Sequence, residues 1–199
     1  MDEHAQLEID NYFKSDPNFN EIYPLKIRML SSRHWTPIHI AKLAVGFLGG
    51  EGGKILDIGS GVGKFCLAGA YFAPEVQFYG IEQREHLIRR AIKAQRTLGL
   101  PNVSFIHGNF TQLNLQEFNH FYFFNSFYEN IDHLDRIDED IDYSEALYEY
   151  YVGYLYNGLQ QMPKGTKIVT YHSFHQEIPR GYEIVESHQN ADLSFWIKK

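Results

Sequence analysis

The chain has one cysteine in 199 residues. An intramolecular disulfide is therefore excluded, and so is a cysteine metal cluster. Cys66 falls at helical spacing with Val62, Phe65, Gly69 and Ala70, the placing of a core side chain. No stretch approaches the ~20 apolar residues of a membrane span. The start, Met1-Asp2-Glu3-His4, is acidic with no apolar run behind it, so no signal peptide is visible and a cytoplasmic protein is expected. Cations are also few: 18 Lys and Arg against 25 Asp and Glu leave a net charge of −7. Binding a phosphate backbone needs a basic face, so bare nucleic acid is not expected as a partner. Arg84, Arg89, Arg90, Lys93 and Arg96 do share one predicted helix, where they read as a solvated face, with anion binding as the functional alternative. The ten histidines contain no HExxH or similar ligand pair. His172 and His175 read as loop or strand-end residues, and no metal is predicted.

What the chain has in quantity is apolar and aromatic residues, 44% and 16%. That suits one globular domain with a sizeable core. Its most informative run is Lys54-Ile55-Leu56-Asp57-Ile58-Gly59-Ser60-Gly61-Val62-Gly63, an apolar strand ending in an Asp and opening into alternating glycines. Gly59, Gly61 and Gly63 remove the Cβ atoms that would keep a ligand from the backbone, and they permit a tight turn into a helix starting near Val62, whose first amides then point at the ligand. A dinucleotide fingerprint would need glycine where the chain has Lys64. Asp57 can instead accept from a cationic amino group or a bound water, which a pyrophosphate would repel. A second apolar strand, from Val76 to Ile81, ends in Glu82, 19 residues after Gly63 (82 − 63). An acidic residue at about that distance serves as a bidentate acceptor for ribose hydroxyls.

Elsewhere strands alternate with helices, the pattern of a parallel sheet covered on both faces. Thr36 is placed to cap a helix with Pro37 at its first position and Ile40, Leu43, Ala44, Phe47 and Leu48 on one face, ending at Gly49-Gly50. Leu87, Ile88, Ala91, Ile92 and Leu98 mark a third helix stopped at Gly99. Further strands are expected at about Val103 to His107, Phe121 to Phe124 and Thr166 to Tyr171. A long helix from about Tyr143 to Met162 carries a tyrosine stripe that reads as core or groove. Tyr182 to Glu186 and Leu193 to Ile197, joined by a polar turn, read as a terminal antiparallel pair. Before residue 35, helical segments near Ile9 to Phe13 and from about Glu21 to Leu30 flank the turn Ser15-Asp16-Pro17-Asn18.

The stretch Ile55 to Gly63 resembles the cofactor motif of class I S-adenosylmethionine-dependent methyltransferases, and the strand order and count over residues 35 to 199 are similar to theirs. The resemblance implies an α/β, Rossmann-like, seven-stranded, mostly parallel sheet with a C-terminal antiparallel hairpin and helices on both faces. It divides the chain into an N-terminal helical cap, 1–34, and a domain binding S-adenosylmethionine, 35–199. It also implies a cofactor set of Asp57, Gly59, Ser60, Gly61, Gly63, Lys64, Glu82 and Gln83, with Trp35 and Thr36 as an aromatic wall and a hydroxyl at the methionine end. His107-Gly108-Asn109-Phe110 ends the third strand, where Asn109 would meet the adenine amino group and Phe110 would stack on the ring. The set GSGVG, YGIE, GNF and FFNSF looks most like the non-SET lysine methyltransferases of the disruptor-of-silencing type. Only cofactor binding is carried over, because those enzymes work through basic surfaces that this acidic chain lacks.

Asn125-Ser126-Phe127-Tyr128 also resembles a degraded Asn-Pro-Pro-Tyr, the motif of amine-directed methyltransferases. Asn125, beside the transferred methyl group, would orient an amine lone pair, and Tyr128 would join Phe124 and Phe127 in a dry slot that lowers the amine pKa. The expected acceptor is an amine nitrogen on a protein or small molecule. An oxygen or carbon acceptor, and a binding module without turnover, are the alternatives. Between Glu129 and Glu145 eight acids face Arg136 alone, a balance of −7 (−8 + 1). This run reads as a solvated loop or as a rim attracting a cationic acceptor.

Overall fold

The computed structural model describes residues 3–50, 52–188, 190 and 192–199. Met1 and Asp2 of the acidic start, and Gln189 and Ala191 of the polar turn, lie outside the described residues. In chain order the helices and strands are α1 (Glu3–Tyr12), α2 (Asp16–Asn20), α3 (Leu25–Arg28), α4 (Ser31–His34), α5 (Ile38–Leu48), β1 (Lys54–Ile58), α6 (Lys64–Phe72), β2 (Gln77–Glu82), α7 (Glu85–Leu98), β3 (Val103–His107), β4 (His120–Phe124), α8 (Glu145–Gln160), β5 (Lys167–Tyr171), β6 (Tyr182–His188) and β7 (Leu193–Lys198). The sheet runs β3-β2-β1-β4-β5-β7-β6. β1 to β5 are mutually parallel, and β7 pairs antiparallel with both β5 and β6. This is the Rossmann-like sheet with a C-terminal hairpin that the sequence predicts.

Alternation of side chains along each strand divides the core into two layers. Ile55, Tyr122 and Val169 face α5, α6 and α7, while Leu56, Ile58, Phe121, Phe123 and Ile168 face Tyr151, Leu155 and Leu159 of α8. Behind the glycine loop, Phe65 stacks on Tyr122 with ring centroids 3.7 Å apart. Burying rings and branched chains of this size contributes about 1.5–3 kcal/mol each. Among the described residues no helix is long and apolar enough to cross a membrane.

Several local expectations are corrected. Pro37, not Thr36, precedes α5, and the helix is capped from a distance: the Ile38 amide donates to Asp16 Oδ1 at 2.9 Å. The Thr36 hydroxyl instead shares a 2.9 Å hydrogen bond with the Tyr122 hydroxyl. Ser15-Asp16-Pro17-Asn18 is the start of α2, with Ser15 Oγ accepting from the Asn18 amide. Ala94, rather than Ile92, completes the buried stripe of α7. Gly99 closes α7 with a φ of +63°, as the helix stop requires.

Candidate active site

The parallel strands all end on one side of the sheet, and the order reverses between β1 and β4, where a crevice opens. There a cavity of about 370 Å³ is lined by the glycine loop, by Glu82 at the end of β2 and Gln83 after it, by Gly108 and Phe110 after β3, and by Phe124 at the end of β4 with the residues from Asn125 to Tyr128. Its outer walls come from Leu30 to Trp35 and from the segment beyond Tyr128. A recess of about 30 Å³ adjoins it, lined by Thr36, Asp57, Ser60, Lys64 and Tyr122 and sharing Trp35 and Gly59 with the main cavity.

The loop is built around its glycines. Gly59, Gly61 and Gly63 have φ values of +77°, +54° and +84°, a region that L side chains enter at a cost. A Cβ on Gly59 would lie 2.5 Å from that of Ser126, and one on Gly63 would lie 2.4 Å from the Phe105 ring. The amides shape the loop itself: Gly59 and Ser60 both donate to the Ile81 carbonyl, at 3.0 and 2.9 Å, and Gly63 to Ser60 at 2.8 Å. α6 consequently begins at Lys64, two residues later than expected.

Glu82 is 6% exposed, and both its oxygens are oriented: Oε2 accepts from the Gly61 amide at 3.1 Å and Oε1 from the Arg84 amide at 2.9 Å. Burial raises its carboxyl above the usual range, opposed by Arg84. Arg84 is the largest departure from expectation. Its guanidinium is 4% exposed, not part of a solvated face, and it pairs with Glu129 at 2.6 Å and Asp138 at 2.9 Å. Two carboxylates of the acidic segment are thereby drawn inward. Arg89, Lys93 and Arg96 do lie exposed.

Asp57 sits at the recess with the Cys66 thiol donating to it at 3.5 Å. Burial pushes its carboxyl up to about 8 from the usual 3.8. The folded protein then holds that proton between about pH 4 and 8, where the unfolded chain has lost it. This contribution to stability is fully present below about pH 4 and is lost as pH rises to about 8. Asp57→Asn should flatten the decline across that window. Urea unfolding at pH 5 and 8 measures it, and an unaltered slope would refute the assignment. Lys64 is buried and ion-paired to Asp16, its ammonium 5.4 and 5.7 Å from the Phe19 and Trp35 ring centroids.

Of the residues singled out in the sequence, Trp35, Gly59, Gly61, Glu82, Gln83, Phe110, Asn125 and Tyr128 line the cavity, and Thr36, Asp57, Ser60 and Lys64 line the recess. Gly63 and Asn109 line neither. The Asn109 amide is occupied: Oδ1 accepts from the Thr111 amide, and Nδ2 donates to Gln83 Oε1 at 3.0 Å and the Tyr151 hydroxyl at 2.8 Å. Phe127 stacks on Phe110 at 5.1 Å. Asn125 holds a φ of +42°, and among the described residues its side chain has no hydrogen-bond partner. Sequence reasoning missed Leu30, Arg33, His34, Arg84 and His172 as lining residues. His172 directly follows β5, one strand over from Asn125, with a φ of +51° and its Nδ1 3.7 Å from Asp192. Pattern alone offered no signal for them.

The sequence pattern described as "Methyltransferase domain" matches residues 50–193. The chain belongs to that family. The strand order is that of class I methyltransferases, enzymes whose methyl donor is S-adenosylmethionine. A tRNA (guanine-N(7)-)-methyltransferase of Microcystis aeruginosa is 46% identical over 54 residues, 27% of this chain and 26% of that protein. The methyltransferase thus spans about a quarter of that curated relative. Among solved structures, TrmN from Thermus thermophilus superposes with a TM-score of 0.60 at 15% identity, over 86% of this chain and 51% of that one. An RNA methyltransferase from Salinibacter ruber, in complex with S-adenosyl-L-homocysteine, superposes at 0.51 with 16% identity, over 80% and 86%. These likenesses are of fold. The donor set suits the cofactor on its own terms: a carboxylate with both oxygens pre-oriented for a diol, a loop whose three glycines all hold positive φ and whose Gly61 leaves open space where a Cβ would stand, and an apolar wall at Phe110 for a base.

Proposed function

We propose that this methyltransferase transfers its methyl group to an amine nitrogen of a protein or small molecule. The observation that carries the reading is Asn125, a polar side chain that lines the cavity and has no hydrogen-bond partner among the described residues, on a backbone conformation that costs about 1–3 kcal/mol. Asparagine tolerates that conformation better than most residues, and its amide oxygen can accept from the acceptor nitrogen and hold its lone pair in line.

Glu82 would hold the ribose hydroxyls, Gln83 and Phe110 the adenine, and Gly59 to Gly61 the close approach to the nucleoside. Asp57 and Ser60, with Thr36 and Trp35, would meet the methionine end through the recess, which has room for a water. Lys64, Gly63 and Asn109 support this set from behind: Lys64 anchors the N-terminal helices, Gly63 turns the loop, and Asn109 orients Gln83. When bound, S-adenosylmethionine supplies an electrophilic sulfonium methyl group. The protein then has to position the nitrogen, exclude water and let a proton go. A lysine-type ammonium has a reference pKa of about 10.4, and a slot walled by Phe124 and Tyr128 disfavours its charged form. Exposed Glu139 and Asp140, with Asp135 on the cavity wall, favour a cationic acceptor arriving from solvent.

Asn125→Ala should bind S-adenosylhomocysteine as the parent does while methylating about 100-fold more slowly, the pattern of an interaction made mainly in the transition state. Labelled donor screened against amines, lysine-rich peptides, tRNA and hydroxylated metabolites identifies the acceptor. The curated relative's name favours a second reading, a ring nitrogen of a tRNA base. Labelling confined to tRNA, or to an oxygen acceptor, would overturn the amine reading.

A further inference from the structure

Beyond Asn125 the chain makes two short 3-10 turns, Tyr128–Asn130 and His133–Asp135, and then runs without regular structure to Ser144. Glu129, Asp135, Ile137 and Tyr143 of this segment form the outer wall of the cavity. Its apolar anchoring is thin: Asn130 is the one buried residue from 129 to 143, while Ile131 is 42% and Leu134 70% exposed. A segment so lightly packed opens at low free-energy cost unless polar ties hold it.

Arg33 donates to the Leu134 carbonyl at 2.9 Å and His86 lies 3.6 Å from Asp138, but most of the ties centre on Arg84. Its Nε donates to Asp138, and its Nη2 donates to Glu129 and to the Tyr143 hydroxyl, both at 2.6 Å. The Ile137 amide donates to the same Glu129 oxygen at 2.9 Å, and the Tyr143 hydroxyl to the Asp138 carbonyl at 2.7 Å. Arg84 also reaches the opposite wall, where its Nη1 lies 3.5 Å from Glu82 Oε1. One buried guanidinium thus stands between Glu82 and the segment.

We propose that Arg84 is a positioning residue that couples cofactor binding at Glu82 to closure of the 129–143 wall. The proposal rests on Glu82 being the ribose acceptor. With the wall closed, Glu129 and Asp138 hold the guanidinium, and Glu82 keeps lone pairs free for hydroxyl groups. With the wall open, Glu82 is the nearest carboxylate left to a buried cation, and Arg84 competes with the ribose for Oε1. Cofactor binding and wall closure therefore favour each other by the same factor.

Calorimetry with S-adenosylhomocysteine and hydrogen exchange over 129–143 test this without an acceptor. In the parent, the ligand should slow exchange across the segment. In Glu129→Gln/Asp138→Asn exchange should be faster without ligand, and affinity should fall by about tenfold, a typical size for such coupling. Adding Arg84→Met to that pair should recover part of the affinity, because the competitor for Glu82 is gone. A wall of purely structural importance would predict a further loss. If the double variant folds poorly, Asp138→Asn alone should show a smaller effect in the same direction. Affinity of the double variant within twofold of the parent, or no recovery on adding Arg84→Met, overturns the coupling. Glu82→Ala separates the two ideas: if it binds like the parent, the ribose assignment fails and the coupling with it, whereas loss of binding there beside an unaffected double variant sinks the coupling alone.

Discussion

Glu82→Ala should weaken S-adenosylhomocysteine binding by about 30-fold or more, equivalent to ~2 kcal/mol. The carboxylate is 6% exposed and already desolvated, so each hydroxyl it accepts is bound by a charge-assisted hydrogen bond of about 1.5–3 kcal/mol. The substitution also deprives the Gly61 amide of its acceptor, which loosens the loop that approaches the nucleoside. Glu82→Gln separates these contributions, since it keeps the shape and one acceptor oxygen but not the charge. Calorimetry should rank the parent above Gln and Gln above Ala. Equal affinity in all three would remove Glu82 from the cofactor site.

Gly59→Val should destabilise the protein by roughly 2–6 kcal/mol, combining a β-branched side chain at positive φ with an overpacked contact, each costing about 1–3 kcal/mol. Against a total stability of about 5–15 kcal/mol, much of the protein would be unfolded near physiological temperature. The contact involved is the Ser126 side chain, whose hydroxyl donates to the Ile58 carbonyl and so ties the Asn125 loop to the end of β1. Damage at Gly59 should therefore spread to the acceptor side of the cavity. Gly59→Ala should cost less, and pairing it with Ser126→Gly should recover the steric part but not the backbone part, giving a non-additive cycle in urea unfolding. A Gly59→Ala midpoint equal to the parent's would mean that the loop does not adopt this conformation.

Which features could be read from the sequence follows from the range of the forces that make them. β3 begins and ends at the predicted residues, Val103 to His107, and β1 begins at Lys54 and runs one residue past the predicted Asp57, because an apolar run bounded by turn residues is a local signal. The left-handed stop at Gly99 is local too. Thr36 looked like a cap because nothing nearby shows that Tyr122, 86 positions on, would take its hydroxyl. Arg84 was grouped with the exposed cations of α7 by helical spacing, whereas its burial depends on Glu129 and Asp138, 45 and 54 positions away. The segment from 129 to 143 has neither apolar periodicity nor regular structure, so only its charge was visible. Asn109 carried a readable alternative, since an asparagine three residues before Gln112 is the pattern of a capping box, and a box is what forms there.

The attachments of the N-terminal helices bear on how this protein can be cut. Asp16 serves two clients, the first amide of α5 and the ammonium of Lys64, while the Tyr23 hydroxyl donates to the Val62 carbonyl inside the glycine loop. A module excised at residue 50, where the stretch shared with the family begins, would keep Lys64 and Val62 and discard Asp16, Phe19, Tyr23 and Trp35, which hold them. One trimmed after residue 193 would lose Phe195 and Trp196 and most of the strand through which β6 joins the sheet. The stretch that relatives share is shorter than the stretch that has to fold.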